Sequence, residues 1–293
     1  MTGGLVDRHY GLRIRRGKNK EVYVDCNDYI LDKCKELEIP AGTQRTPMSS
    51  DLVLPKIEGT CNDSELQKRY RSLIGSLMHA AVTCRPDVAF AVGALSRHLV
   101  HPTAIHIKAA EHAFQYLRST ADLQLCYGRF KSAHAFYGTS DASHASIDLR
   151  GVTGFHYNYA GGAVSWKVSI QRLISHSSTE SELIALDEAV REVQHLKKLL
   201  KDFRIDVPWP VTIGQDNQAT IELSNSGHFN PRTKHIGIRF LYVNDLIKEG
   251  VVALQYVRTD ALSADALTKA LPAADFRRHV QVLLGYQDLD LGN

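Results

Sequence analysis

The order of strand and helix patterns in the second half of the chain constrains the fold more than any other feature of the sequence. Three successive strand patterns precede a long helical stripe of leucines and valines, which runs from about Ser178 to Phe203. Strands and helices alternate after it, which is typical of a mixed α/β domain with helices packed on a sheet. The predicted strands cover 134–141, 152–160, 163–177 (a bent strand or a pair), 211–216 and 251–257, and the later helices cover 219–225 and 234–248 and open at Ser263.

The first part of the chain shows a different pattern. Residues 1–60 predict two short strands and one short helix. Apolar residues then recur at helical spacing from Ser64 to about Ser119, with a break at Pro102. The change of pattern predicts two domains, 1–130 and 131–293, and the chain of 293 residues is long enough for both.

The net charge is unevenly distributed along the chain. The whole chain carries +3, but residues 1–133 sum to about +5 and residues 134–293 to about −2. Much of the excess lies in a short basic stretch that includes Arg13, Arg15 and Arg16. Such a stretch fits either a solvated strand edge or a surface that contacts phosphates, and charge alone does not decide between them.

Several protein classes are excluded by what the sequence lacks. No apolar run approaches the ~20 residues that span a bilayer, so no membrane association is expected, and the first residues lack the apolar segment of a signal peptide. The five cysteines lie in the first 126 residues without a CxxC pair, which predicts reduced thiols in an intracellular protein. The motifs of P-loop hydrolases, dinucleotide-binding enzymes, zinc proteases and serine hydrolases are absent.

Four carboxylates stand at the ends of predicted elements. Asp141 and Asp216 close strands, and Asp265 opens the last predicted helix. Glu182 lies in the first turns of the long helix and shares a face with apolar residues, whereas Glu180 shares one with charged residues. We therefore predict that Glu182 faces inward and that Glu180 faces outward as a cap. Helix capping and the helix dipole could also explain each acidic residue singly.

Gathered together, these carboxylates would favour nuclease chemistry. Close carboxylates repel one another and raise their own pKa values unless cations are bound. Mg²⁺ suits such a cluster because it prefers oxygen ligands and keeps water and phosphate oxygens in its shell. Two such ions can clamp the attacking water and the leaving oxygen of an in-line phosphoryl displacement.

Eight segments of the sequence resemble a known family. Their number, order and spacing make the chain similar, over nearly its whole length, to the C-terminal part of the polyprotein of copia-type LTR retrotransposons. The segments are YRSLIGSLMHAAVTCRPDVAFAV, LSRHLVHPTAIHIKAAEHAFQYLRST, TSDASHAS, SWK, SSTESELIAL, DNQATIEL, RTKHIGIR and ADALTKAL.

The resemblance implies a fold, an activity and partners. The implied fold is RNase H-like, a mixed five-stranded sheet flanked by helices, after a mostly helical remnant of the reverse-transcriptase thumb and connection. The implied activity is a ribonuclease H that cuts the RNA strand of an RNA–DNA hybrid with two Mg²⁺ ions, with Mn²⁺ as a substitute. The implied partners are the hybrid and the upstream polymerase portion of the polyprotein, in a cytoplasmic virus-like particle or the nucleus. The tyrosine-containing turn that carries the polymerase aspartates is absent, so polymerase activity is not expected.

Carried over residue by residue, the resemblance places the family's catalytic, metal-binding quartet on the four carboxylates. The family's nucleic-acid contacts fall on a basic segment near 232–235 and on the residue after Asp216, and the basic stretch near the N-terminus could add to them. The quartet is Asp141, Glu182, Asp216 and Asp265, and the residues expected to face nucleic acid are Arg232, Lys234, His235, Asn217, Arg13, Arg15 and Arg16.

Three departures from the family pattern leave a second interpretation open. Gly237, Leu241 and the pair Ser169–Ile170 stand where polar or basic residues are usual in the family. The alternative is a catalytically decayed or co-opted copy that binds nucleic acid without cutting it.

Overall fold

The computed structural model describes residues 7–55, 63–129, 136–147, 149–227 and 234–289. The chain divides into two compact units, one formed by Met1–Arg129 with Lys269–Tyr286 and the other by Phe130–Thr268 with Gln287–Asn293. The first boundary between the units lies between Arg129 and Phe130, where the sequence pattern also changes. Among the described helices, none has the combination of length and apolar character that a bilayer crossing requires.

The described residues of the first unit form a small antiparallel sheet and five α-helices. The sheet has the strand order β1-β2-β3-β4, so the strand near residue 125 completes a sheet that begins at the N-terminus. The predicted strands at 11–16 and 21–25 and the helical region after Ser64 are confirmed. The elements are β1 (Arg8–His9), β2 (Leu12–Arg16), β3 (Val22–Asp25), α1 (Asn27–Glu36), α2 (Ser64–Thr83), α3 (Ala89–Ser96), α4 (Ala104–Ser119), β4 (Leu125–Tyr127) and α8 (Ala273–Leu283).

Helix α8 corrects the predicted division at 131–293 for one segment. Its buried side chains include Phe276, whose ring meets that of Tyr116 edge-on at 5.8 Å between centroids. The backbone N–H of Cys126 also donates to the carbonyl oxygen of Leu284 at 2.8 Å. The apolar face of α8 is thus buried in the first unit, and sequence pattern could not reveal this because amphipathicity does not specify which partner a helix packs against.

A buried ion pair connects the segment before α3 to the end of α4. Arg85 and Asp87 are both fully buried, and the guanidinium donates two hydrogen bonds to the carboxylate, at 2.9 and 2.7 Å. The hydroxyl of Tyr116 donates to the same carboxylate at 2.6 Å, and the carbonyl oxygen of Thr120 accepts from Arg85 at 3.1 Å. Each charge is therefore compensated within the interior, as a buried charge must be.

The second unit is built on a mixed five-stranded sheet. The strand order is β7-β6-β5-β8-β9, in which β7, β6 and β5 are antiparallel neighbours and β8 and β9 run parallel to β5. Its elements are β5 (Phe136–Ile147), β6 (Arg150–Tyr159), β7 (Gly162–Ile170), α5 (Ser178–Asp202), β8 (Val211–Gln215), α6 (Gln218–Ser226), α7 (Lys234–Lys248) and β9 (Val252–Tyr256).

The long helix α5 lies against the sheet through its predicted apolar stripe. Leu186, Val190 and Val193 are fully buried in one cluster with Phe155 and Tyr157 of β6. The hydroxyl of Tyr157 donates to the carbonyl oxygen of Ala189 at 2.7 Å, which pins the middle of the helix to the sheet. The first turns of α5 are thereby held at one end of the central strands.

Two predicted elements differ from the structure. Residues 171–177 form no strand, because β7 ends at Ile170 and this segment leads directly into α5. The helix expected to open at Ser263 is a short 3-10 helix, Ser263–Leu267, and α8 begins only after Pro272. Proline fixes its own φ and disfavours helical geometry in the residue before it, which accounts for the interruption.

Candidate metal centre

Three of the four predicted carboxylates meet at the end of the central strands. One carboxylate oxygen each from Asp141, Glu182 and Asp216 lies within 4.8 Å of the others. The last parallel pair of β5 and β8 joins Thr139 to Gly214, so the two aspartates lie two residues beyond it on neighbouring strands. The sequence suggested that Asp141 ends its strand. In the structure β5 continues past Asp141 to Ile147 in its pairing with β6.

Asp265 lies in the 3-10 helix that follows β9 and does not belong to the three-carboxylate group found among the described residues. It is buried, at 4% exposure. Three residues later, the hydroxyl of Thr268 donates to the carboxylate of Asp141. The segment that carries Asp265 therefore lies directly against the cluster.

A glycine makes this close approach feasible. Gly154 of β6 is paired with Asp141, and a Cβ atom at that position would lie 2.6 Å from Cγ2 of Thr268 and 2.8 Å from Cβ of Leu267. Such contacts are too short for ordinary packing, so a larger residue would displace Thr268 from Asp141. A glycine inside a strand often marks close backbone approach of this kind.

A buried glutamine connects two members of the cluster. Gln215 is fully buried, and its Nε2 donates to Oε2 of Glu182 at 3.3 Å. Its Oε1 accepts from the backbone N–H of Asp216 at 2.9 Å. Sequence analysis overlooked both Gln215 and Thr268, although each lies within three residues of a predicted carboxylate.

The electrostatics of the cluster centre on Glu182. Burial raises the pKa of Glu182 well above its usual value, and the neighbouring carboxylates of Asp141 and Asp216 raise it further. Hydrogen bonds from the backbone of Ala142 and from Gln215 lower it in part. Without a cation, the folded protein therefore favours a protonated Glu182, whereas a bound cation would favour the carboxylate.

We expect Glu182→Gln to stabilise the metal-free protein at neutral pH. Because the pKa of Glu182 is higher in the folded state than the usual 4.5, its effect is absent below pH ~4.5 and becomes destabilising as the pH rises. The variant should exceed the wild type in free energy of unfolding at pH 7, and the difference should shrink towards pH 4. Urea unfolding in EDTA measures the free energy of unfolding of both proteins. If the variant differs from the wild type by the same amount at pH 4 and at pH 7, the prediction is wrong.

The prediction that Glu180 faces outward was wrong. Glu180 is buried at 6% exposure, accepts a hydrogen bond from the backbone N–H of His176 at 2.8 Å, and donates its own N–H to the N-cap residue Ser177 at 3.2 Å. Its capping role is thus confirmed, but its face of α5 is covered. Further along that face, Asp187 is buried and forms ion pairs with Arg191 and, from α7, with Arg239.

Of the residues predicted to contact nucleic acid near the cluster, only Asn217 has a described side chain. Asn217 is the N-cap of α6 and accepts from the backbone N–H of Thr220 at 2.9 Å. Lys234 and His235 begin α7, but their side chains lie outside the described residues, as does Arg232. The departure at Leu241 leaves that side chain 47% exposed on the same helix.

Two arginines of β2 compensate the negative charge of a buried carboxylate, that of Asp25. Arg13 and Arg15 both form ion pairs with Asp25, at 3.2 Å each, and the Asp25 side chain is fully buried. Arg15 also donates to the side chain of Gln124 at 2.6 Å. Arg13 and Arg15 therefore have a structural role, which sequence analysis did not anticipate. Arg16 is exposed and forms no ion pair with the described residues.

Comparisons with known proteins place the chain in a family. It is 32% identical over 237 residues to the retrovirus-related Pol polyprotein from transposon TNT 1-94 of Nicotiana tabacum, covering 79% of this chain and 18% of that protein. It is 30% identical over 252 residues to the Pol polyprotein from transposon RE1 of Arabidopsis thaliana, covering 85% and 17%. No family model matches the chain. A solved structure of LC11-RNase H1, isolated from compost, is similar with a TM-score of 0.36 and 13% identity, over 46% of this chain and 93% of that one.

The mixed five-stranded sheet, the helices on it and the carboxylates at the end of its central strands define a domain of the RNase H-like fold, as predicted. The chain belongs to the family of copia-type retrotransposon Pol polyproteins. It spans about a fifth of the length of the Pol polyproteins that it matches.

Proposed function

We propose that the protein is a metal-dependent ribonuclease H that hydrolyses the RNA strand of RNA–DNA hybrids. The observation that carries this proposal is the meeting of Asp141, Glu182 and Asp216 within 4.8 Å at the end of the central strands. The similarity to retrovirus-related Pol polyproteins supports the same activity. We further propose the hybrid and the polymerase portion of the polyprotein as partners, in a cytoplasmic virus-like particle or the nucleus.

The donor set fits Mg²⁺. All three clustered side chains offer carboxylate oxygens, which are the protein ligands that Mg²⁺ prefers. Burial and the two neighbouring carboxylates raise the pKa of Glu182, and a bound cation would offset both effects. Asp141 and Asp216 would hold the ions, with Glu182 and Asp265 completing the site. Two Mg²⁺ ions, or Mn²⁺ in their place, would stabilise the negative charge that develops during phosphodiester hydrolysis.

The surrounding residues would orient the ligands. Thr268 holds one oxygen of Asp141, while Gln215 fixes the position of Glu182 relative to the end of β8. Hydrogen bonds to ligating carboxylates restrict their rotation and thus the geometry of the site. Other residues would bind the hybrid. They are Lys234, His235, Arg232 and Asn217, together with Arg16, which forms no ion pair with the described residues.

A cleavage assay tests the proposal. The protein would be incubated with a hybrid whose RNA strand is end-labelled, with and without Mg²⁺, beside single-stranded RNA, double-stranded RNA and double-stranded DNA. We expect Mg²⁺-dependent cleavage of the RNA strand of the hybrid only. Binding of the hybrid without cleavage would overturn the proposal and favour the decayed or co-opted copy.

Mg²⁺ should also stabilise the folded protein. A ligand present at about 100 times its Kd contributes about 2.7 kcal/mol to the free energy of unfolding, so millimolar Mg²⁺ should raise the Tm. Asp216→Asn should lose most of this increase and should melt higher than the wild type without metal, because it removes one of the repelling charges. The control is Glu180→Gln, which changes a buried carboxylate outside the cluster and should keep the response. Equal Mg²⁺ stabilisation of Asp216→Asn and wild type would contradict a shared site.

A further inference from the structure

His144 is an exposed imidazole whose inner nitrogen is held by two buried hydroxyls. Its Nδ1 lies 3.0 Å from Oγ of Ser175 and 3.0 Å from Oγ of Ser181. The two serines are 5% and 0% exposed and are hydrogen-bonded to each other, whereas His144 lies on the surface. The ring is thus fixed in direction by groups that solvent cannot reach.

This arrangement is unsuited to nucleophilic catalysis but suited to hydrogen-bond donation. Both serine hydroxyls are buried, so neither can attack an external substrate. With Nδ1 turned towards the serines, the opposite edge of the ring, which carries Nε2, faces outward. When one of these hydroxyls donates to Nδ1, the ring proton lies on Nε2 and the outward edge is a donor.

The fixed ring is held by the same two elements that carry members of the carboxylate cluster. His144 follows Asp141 by three residues on β5, and Ser181, which holds the ring, directly precedes Glu182 on α5. A nucleic-acid strand whose phosphodiester is bound at the cluster continues past it in both directions. A donor held by these two elements is therefore placed to meet the sugar–phosphate backbone of that strand, which accepts most of the hydrogen bonds that proteins make to nucleic acids.

We propose that Nε2–H of His144 donates a hydrogen bond to a phosphate oxygen next to the phosphodiester that is cut. The inference rests on the proposed function for the nature of the substrate and adds a substrate contact that sets the position of the strand. Because the two serines already hold the ring, little side-chain freedom is lost when the contact forms. A neutral donor of this kind positions the strand without adding to the ionic attraction.

The first test compares hybrid binding by wild type and His144→Ala. Binding of a fluorescent RNA–DNA hybrid is followed by anisotropy in Ca²⁺, a cation that also takes carboxylate and phosphate oxygens as ligands, and gel analysis checks that the hybrid stays intact. We expect the Kd to rise about tenfold, the effect of losing one hydrogen bond to a charged group. The slope of log Kd against log salt concentration should stay unchanged, whereas loss of a lysine or arginine contact would reduce it by about one.

Two further variants separate donation from mere packing. His144→Gln keeps an N–H donor of similar reach and should recover most of the affinity. Ser175→Ala leaves the imidazole in place but removes one of its two holding groups, so it should weaken binding less than His144→Ala does. Circular dichroism and Tm measurements establish that each variant is folded, and Ser175→Ala serves as the test if His144→Ala is not.

Neutral phosphates identify the contact directly. A series of hybrids, each with one methylphosphonate in the RNA strand, is bound to wild type and to His144→Ala. At one position the substitution should weaken wild-type binding about tenfold and leave binding by the variant unchanged, because the partner has already been lost.

The outcomes distinguish this inference from the proposed function. If the wild type binds the hybrid but does not cut it, and His144→Ala shows the predicted binding loss, the ribonuclease proposal fails and the contact stands. If the wild type cuts the hybrid in Mg²⁺ while His144→Ala matches it in Kd, KM and the methylphosphonate profile, the contact is overturned and the ribonuclease proposal stands.

Discussion

Asp141→Asn is expected to lower the kcat of hybrid cleavage about a thousandfold while leaving the protein folded. Asp141 lies at the centre of the cluster, on the middle strand of the sheet, and loss of its charge would weaken the binding of each ion that it contacts. A metal ion contributes several kcal/mol to the stabilisation of charge in the transition state, and about 4 kcal/mol corresponds to a thousandfold change in rate.

Stability should not fall in this variant. The asparagine keeps an oxygen that can accept the hydrogen bond from Thr268, and it removes one of the repelling charges of the cluster. Glu180→Gln is the matched control, because it alters a buried carboxylate near the cluster and should retain cleavage. Rates are measured on the labelled hybrid in Mg²⁺, with Tm as the check on folding. Wild-type cleavage by Asp141→Asn would show that the cluster is not the catalytic site.

Arg85→Met is expected to lower the free energy of unfolding of the first unit by about 3–5 kcal/mol. The substitution leaves the carboxylate of Asp87 fully buried with the hydroxyl of Tyr116 but without its cation. An uncompensated buried charge is costly because the interior cannot replace the hydration that the carboxylate would have in water.

Two comparisons identify the cause of that loss. Arg8→Met removes the arginine of an exposed pair with Asp28 of α1, and such pairs contribute about 0–1 kcal/mol. The double variant Arg85→Met with Asp87→Asn should be more stable than Arg85→Met, because it also removes the stranded charge. Urea unfolding followed by circular dichroism measures all four proteins. A similar loss of unfolding free energy in Arg85→Met and Arg8→Met would contradict the description of the buried pair.

The secondary structure was largely predictable because its signals are local. Strand alternation and helical periodicity correctly predicted β2, β3 and α5, since side-chain spacing along an element determines which residues can share a face. The same reasoning was wrong for the face of α5 that carries Glu180 and Asp187, which is buried. The ion pair between Asp187 and Arg239 shows that α7 covers this face, and the charged pattern of a single helix cannot reveal a second packing layer.

The family resemblance and the four carboxylates could be predicted from the sequence, because motif order and residue type do not depend on folding. Folding brings three of the carboxylates within 4.8 Å, leaves Asp265 outside this group, and places Arg13 and Arg15 against the buried Asp25. It also places His144 against serines 31 and 37 positions away. The physical reason is that local periodicity sets backbone conformation and side-chain faces, whereas distances between remote residues depend on strand register and on how helices pack against the sheet.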